Sequence, residues 1–598
     1  MENSSARPAR VFLALFPGPV PVDLPLISCR QTLMRKSFCE NRFCFWGLCL
    51  FAVLATGYSA WYMSPTLDEP AHLAAGVHVW RTGRTDLYRV NPPLVRSWAT
   101  LPLSVISHQE DWRHDIPGSS LRTEWKVGAD FMTANGPRSF WLLTIARWMC
   151  LPVTLLGLWT CWRWGRELAG EQAGLLAAGL WACSPNLIGH GALITCDVAA
   201  TALGLLFAWR WATWRRTLAW RHAFQAGLCL GIALLAKLYW VLLLGLFPLV
   251  TLLDLWCRPT GDRCRRAVQA LCLGLIGINV LNLGYGFQGT GTRLGDYRFY
   301  SRLLSGELRS PEYDPPGNRF QQLGLGKLPV PLPADYVTGL DLQQQDLDQP
   351  HWSYLFGEHR QQGWPWYYAV GLAVKVPLAT WCLAGTGLIM LFRQGRFWQR
   401  ADELLPLWLP TLALFVLVSA ELNMNRHVRY VFPVLPVLYL LAGQSAALRF
   451  RWLPVLGLGA VCATTLWHLP YGVSYFNLLA GDAQNGRPVL IDSSLDWGQD
   501  LRGVQSWLAR HPDRRPVTLA CVHAYPLESV GLDLPVTPTA GLPEGWHLIS
   551  RHLLHNPRGL YQDFRRQGPV DHIGFSFNIY YVSSGADAAG GQALSAVP

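Results

Sequence analysis

Residues 43–67 contain no charged side chain. A run of this kind matches the roughly 20 apolar residues that carry a helix across a bilayer. Ten more apolar runs follow, at 140–162, 173–184, 199–214, 224–235, 238–253, 267–283, 366–392, 404–420, 430–447 and 452–469. In hydrocarbon every backbone amide must find its partner inside its own segment, which leaves helices or closed barrels. The continuous character of these runs predicts helices. The expected fold is therefore mainly α, a polytopic transmembrane bundle of about eleven helices.

Composition agrees with this. Hydrophobic residues make up 51% of the chain and charged residues only 15%, well below the share in soluble domains. A net charge of +11 would point to nucleic acid if the basic residues formed a patch. They lie instead in alternate links, at 163–166, 215–216, 258–266, 393–400 and 449–451, and Arg30, Arg35, Lys36 and Arg42 precede the first run. Positive links mark the cytoplasmic side. All five fall on the side that this start predicts, so the remaining segments are expected outside the cytoplasm.

The domain organisation follows. Residues 1–42 form an N-terminal cytoplasmic segment with the composition of disordered chain and no clear cleavage site, and Met34 is an alternative start. Residues 43–469 form the membrane domain, with outer loops at 68–138 and 284–365. Stretches 71–80 and 94–106 are amphipathic and expected to lie along the interface. Residues 470–598 form an extracytoplasmic C-terminal α/β domain, with strands expected at 488–491, 517–522 and 572–582 and a helix at 498–511. Fifteen cysteines without a C-x-x-C pair read as apolar filler.

The candidate chemistry gathers on the outer side. Asp68 and Glu69 lie between Pro65 and Pro70 at the end of the first run, and Asp197 opens the run at 199–214. Asp197 reads equally well as a first-turn helix acid. Only five of the fifty basic residues are lysines, and Lys237 and Lys375 sit at membrane depth, where an ionisable group is costly; snorkelling is the alternative for each. Arg147 carries the same ambiguity. Arg426 and Arg429 place positive charge in an outer link, against the topology pattern, and suit an anionic phosphate partner. Acids that can take a proton, beside cations that can hold a phosphate, fit transfer from a phosphate leaving group, in which one carboxylate base suffices. No metal site is read from the sequence: Asp346-Leu-Asp348 reads as solvated loop, and His547, His552 and His555 as a surface helix.

Several stretches resemble bacterial GT-C glycosyltransferases, the group that includes dolichyl-phosphate-mannose protein mannosyltransferases (the family 39 type) and lipid A aminoarabinose transferases. They are Leu67-Asp-Glu-Pro-Ala-His-Leu-Ala-Ala-Gly76, Asn91-Pro-Pro-Leu94, Thr195-Cys-Asp-Val198, Tyr354-Leu-Phe-Gly-Glu358, Lys375-Val-Pro377, Arg429-Tyr-Val-Phe-Pro433 and Asp496-Trp-Gly-Gln-Asp500. The resemblance runs from about residue 43 to 582. It implies inverting transfer of a sugar from a polyprenyl-phosphate donor to a protein hydroxyl, lipid or envelope glycan, on the outer face of the plasma (inner) membrane. Asp68 would be the base. Glu69, Asp197, Arg426 and Arg429 would bind substrate, and the depth of Lys237 and Lys375 makes them candidates for the same role, with the question of a divalent cation left open. Asn91 replaces a histidine common in the family, so no histidine role carries over. The segment 496–500 reads as a structural strand-to-helix turn. A lipid or glycan transporter or flippase is the alternative, expected to show internal repeats and broken helices that the sequence does not suggest. A non-catalytic scaffold leaves the outer charges unexplained, and an oligosaccharide ligase would differ in acceptor.

Overall fold

The computed structural model describes residues 31–257, 260–482, 484 and 486–583. Residues 1–30, most of the expected N-terminal segment, lie outside the described residues, as do Arg258 and the last fifteen residues. The membrane part is helical: α1 (Gln31–Tyr62), α2 (Glu69–Thr82), α3 (Leu94–Thr100), α4 (Glu124–Asn135), α5 (Arg138–Trp148), α6 (Leu151–Ala169), α7 (Glu171–Ala182), α8 (Pro185–Gly191), α9 (Asp197–Thr217), α10 (Trp220–Leu234), α11 (Leu242–Cys257) and α12 (Arg263–Gly284). After the long loop come α13 (Ala334–Asp348), α14 (Tyr367–Lys375), α15 (Leu378–Arg393), α16 (Phe397–Glu403), α17 (Leu405–Ala420), α18 (Val434–Gly443) and α19 (Trp452–His468).

Among the described residues, four helical stretches are long and apolar enough to cross a bilayer: Arg42–Tyr62, Arg138–Ala169, Leu238–Cys257 and Arg263–Gly284. Two bent pairs raise the number to six. The expected eleven is not reached on that criterion. Helices α7 and α10 have only 12 and 15 residues, and α9 carries Arg215 and Arg216 in its last turn. Most residues of α7 and α9 are buried, so their apolar side chains face protein rather than lipid.

One bend breaks the run expected at 366–392. α14 and α15 meet at 104°, and α16 and α17 at 78°. Pro377 has no amide hydrogen and disfavours helix at Val376, whose ψ is 132°. The freed carbonyls at the end of α14 are taken by side chains: Asn477 Nδ2 donates to Ala373 and Val376, and Asn186 Nδ2 to Lys375. Helix α2 also departs from the sequence reading. It does not lie along an interface, for Glu69 to His78 are all buried. Gly128 of α4 makes that burial possible, because a Cβ there would come within 2.6 Å of Ala71 N.

The C-terminal unit carries a four-stranded sheet in the order β3-β4-β6-β5, formed by β3 (Val517–Ala520), β4 (Gly545–Ser550), β5 (Asp571–Ile573) and β6 (Phe577–Val582). The β3–β4 pair is parallel and the other pairs are antiparallel. Strands β1 (Ser353–Leu355) and β2 (Glu358–Arg360) form a separate hairpin in the long loop. Helix α20 (Leu501–Arg510) lies within the expected 498–511 and buries Leu501, Val504 and Trp507. Three readings are corrected. Residues 488–491 form no strand, the stretch with His547 is the strand β4 with that ring buried, and Asp346 lies in α13 paired with Arg122.

Candidate active site

Asp68 occupies the N-cap position of α2, yet its carboxylate does not cap the helix. Arg429 Nη2 lies 3.1 Å from Asp68 Oδ2, and Arg429 Nε lies 3.4 Å from Asp197 Oδ2. One guanidinium thus bridges two acids that are 129 positions apart in sequence. Asp197 is the first residue of α9, as the helix-acid reading requires, but its other oxygen takes the ammonium of Lys237. Lys237 lies over the rings of Tyr430 and Tyr239, at 4.8 and 5.2 Å. Arg426 extends the cluster, with Nε 2.8 Å from Asp492 Oδ2. Asp492 keeps a left-handed backbone, φ 59°, that a non-glycine residue adopts only where its surroundings hold it.

Three acids therefore face three cations. They differ in access: the side chain of Asp68 is 25% exposed, against 12% for Asp492 and 2% for Asp197. The depth of the site raises the Asp68 carboxyl above its ordinary value of 3.8, and Arg429 pulls the other way. Burial would also raise Asp492, but Arg426 and then His427 outweigh it and hold that carboxyl below the ordinary range. His72, one turn along α2 from Asp68, is pushed down to about 3 by burial and by Arg96, so it stays neutral. Arg429 Nη1 is buried and, among the described residues, has no hydrogen-bond partner. A buried cationic donor left open is costly unless something anionic comes to it.

Two sequence candidates lie at the same end of the bundle but are closed off by their own partners. Glu69 is fully buried: Arg147 binds it through Nε at 2.8 Å and Nη2 at 2.5 Å, and the amides of Thr66 and Ile194 donate at 2.9 and 3.1 Å. The ambiguity over Arg147 is thereby resolved, because it does not snorkel. Its remaining donors go to the carbonyls of Ala60, Met63 and Ser64, which fixes the turn ahead of Asp68. Lys375 is buried too, with its ammonium on the carbonyls of Val473 and Ser494 at 2.8 and 2.7 Å. Asn91 accepts from Cys196 Sγ at 3.0 Å.

The sequence reading gave no site role to Asp492, His72 or Trp497. Trp497 lies 3.9 Å below the Arg429 guanidinium. The quoted Asp496-Trp-Gly-Gln-Asp500 segment was the available signal for it. An apolar cavity of about 230 Å³ is lined by Leu94, Val95, Trp98, Thr195, Val198 and Ala199 among others, without any residue of the charged cluster itself. No group of three or more His, Cys, Asp or Glu side chains converges as a metal site among the described residues. Asp68, Asp197 and Asp492 each turn to a cation, so these residues do not fit a divalent ion as they stand.

Fold and site together define a multi-pass membrane protein with a charge-balanced cluster at one end of its helices. No family model matches the chain, and no curated protein matches it. Among solved structures it is similar to ArnT from Cupriavidus metallidurans bound to undecaprenyl phosphate, at TM-score 0.44 and 12% identity over 90% of this chain and 96% of that one. The apo form of the same protein gives 0.41 and 15%, over 77% and 68%. The apo oligosaccharyltransferase of Archaeoglobus fulgidus gives 0.39 and 15%, over 71% and 54%.

Proposed function

We propose that this chain is an integral membrane glycosyltransferase that moves a sugar from a polyprenyl-phosphate donor to an acceptor hydroxyl of a protein, lipid or envelope glycan. The observation that carries this reading is the accessible Asp68 carboxylate held by Arg429, whose Nη1 is open. In this reading the acceptor O–H gives its proton to Asp68 as its oxygen bonds to the anomeric carbon, and the bond from that carbon to the phosphate oxygen breaks. A single displacement inverts the anomeric centre. The donor is a phosphodiester with one negative charge and the departing phosphate gains a second. Once protonated, Asp68 no longer competes for Arg429, so the cation is released toward the phosphate as that charge appears.

Asp197 would hold Lys237 and Arg429 toward the donor, and Arg426 would sit at the rim with Asp492. Glu69 and Lys375 are positioning residues in this scheme. The apolar cavity supports it: its lining includes Thr195 and Val198, which flank Asp197 in sequence, so an isoprenoid tail would lie beside its own phosphate. The basic links support placing the cluster and the C-terminal unit on the extracytoplasmic side of the plasma (inner) membrane.

The test is Asp68→Asn in the purified protein. It should stay folded and inserted while transfer from the donor falls by about a hundredfold or more, the scale of a lost general base. Turnover at the wild-type rate would remove Asp68 from the base role.

A further inference from the structure

The segment 492–500 reaches from the C-terminal unit into the cluster. Ser64 N donates to Gln499 O at 2.8 Å, Ser64 Oγ to Gly498 O at 2.9 Å, and Leu67 N to Trp497 O at 3.0 Å. The strand of backbone that delivers Asp68 is thus laid against residues 497–499. Gly498 turns the segment at φ 86°, and a Cβ there would come within 2.9 Å of Val522 O. Gln499 is fully buried and locks the turn internally: its Oε1 accepts from Trp497 N at 2.7 Å, and its Nε2 donates to Ser474 Oγ and Leu495 O. Lys375 reaches the same turn from α14 through Ser494 O.

The side chain presented by this turn is Trp497, 2% exposed, with its ring 3.9 Å from the Arg429 guanidinium carbon. An indole face attracts a cation without accepting a hydrogen bond in the plane of the guanidinium. A carboxylate in that place would use up N–H groups. The ring fixes the plane of Arg429 and leaves Nε, Nη1 and Nη2 directed at what lies around its edge.

We infer that Trp497 is a positioning residue for the phosphate site, and that the C-terminal unit completes that site through it. This rests on the glycosyltransferase reading. The indole holds Arg429 flat, with Nη2 and Nε on Asp68 and Asp197 and Nη1 open to the phosphate. Without the ring the guanidinium tilts, donor binding weakens, and Asp68 loses part of the cation that favours its ionised form.

The test uses the full-length protein in nanodiscs, with a polyprenyl-phosphate sugar as donor, and compares Trp497→Phe, Trp497→Leu and Trp497→Ala. The donor KM of Trp497→Leu and Trp497→Ala should rise about tenfold, as expected for losing a desolvated cation–π contact, while Trp497→Phe stays within about threefold of wild type. The acid limb of the pH–rate profile should move to higher pH in Trp497→Leu and Trp497→Ala but not in Trp497→Phe. A merely structural tryptophan would let Leu substitute as well as Phe and would leave the acid limb where it is; that result overturns the inference. Should Trp497→Ala fail to fold, the Phe–Leu comparison still decides. Wild type that transfers no sugar from any polyprenyl-phosphate donor contradicts the glycosyltransferase reading itself, whereas active wild type with equal Phe and Leu variants contradicts only the role of Trp497.

Discussion

At the scale of single residues, adjacent carboxylates have been given opposite environments. Asp68 keeps partial exposure and one shared cation, while Glu69 is fully buried and bound to Arg147 and two backbone amides. The sequence shows both as Asp-Glu between prolines and has no means of separating them, because the separation depends on Arg147, 78 positions away. Glu69→Gln should leave Arg147 buried and uncompensated and cost about 3–5 kcal/mol of stability, read as a lower Tm, with the donor KM of the folded fraction unchanged. A raised KM at unchanged Tm would return Glu69 to the substrate. For Asp68 the sign is fixed by its neighbours. Arg429 is the largest influence lowering that carboxyl, so Arg429→Gln should raise its pKa and shift the acid limb of kcat/KM upward. A downward shift, or none, would show that the limb belongs to another group.

At the scale of elements, the apolar runs and basic links were legible because bilayer thickness and charge asymmetry act on local sequence. Helices α1 and α12 follow directly from them. The bend at Pro377 was visible as a proline but not as an angle, since a bend depends on whether other side chains take up the freed carbonyls. Asn477, 101 positions from Val376, does this. Strand β4 was hidden because its partners β3 and β6 come from distant sequence, and its histidine suggested surface. Helix α20 carries a further consequence of burial. Asp500, at its N-cap, gains no capping bond, and burial pushes its carboxyl up to about 7, with the neighbouring Asp496 adding to the rise. Its folded value lies above its unfolded one, so the contribution is fully present below about pH 4 and declines as pH rises to about 7. Asp500→Asn should therefore gain thermal stability over wild type progressively across that window, with a constant gap above it. A gap independent of pH in thermal melts would contradict this.

At the scale of the whole molecule, charge is divided between the two ends of α9, a helix of 21 residues and so roughly 30 Å long. Asp197 at its start belongs to the cluster of Asp68, Lys237 and Arg429. Arg215 near its end is tied to Asp254 and Asp402, with Oδ distances of 2.8 and 3.0 Å. The second network leaves Asp402 34% exposed but gives every nitrogen of Arg215 a partner; the first combines an accessible acid with an open donor on Arg429. That difference is why chemistry is placed at the Asp197 end. The sequence grouped the outer acids and arginines on one side, but it did not join the C-terminal unit to them, because Trp497 and Asp492 meet Arg429 and Arg426 only through the folded chain. The central claim is tested most directly by measuring release of polyprenyl phosphate from a labelled polyprenyl-phosphate sugar, with purified full-length protein in nanodiscs and envelope lipids and proteins as acceptors. Wild type should release it together with labelled acceptor, and folded Asp68→Asn should release almost none. Equal release by both proteins, or none from folded wild type across the donor sugars tried, would contradict the account.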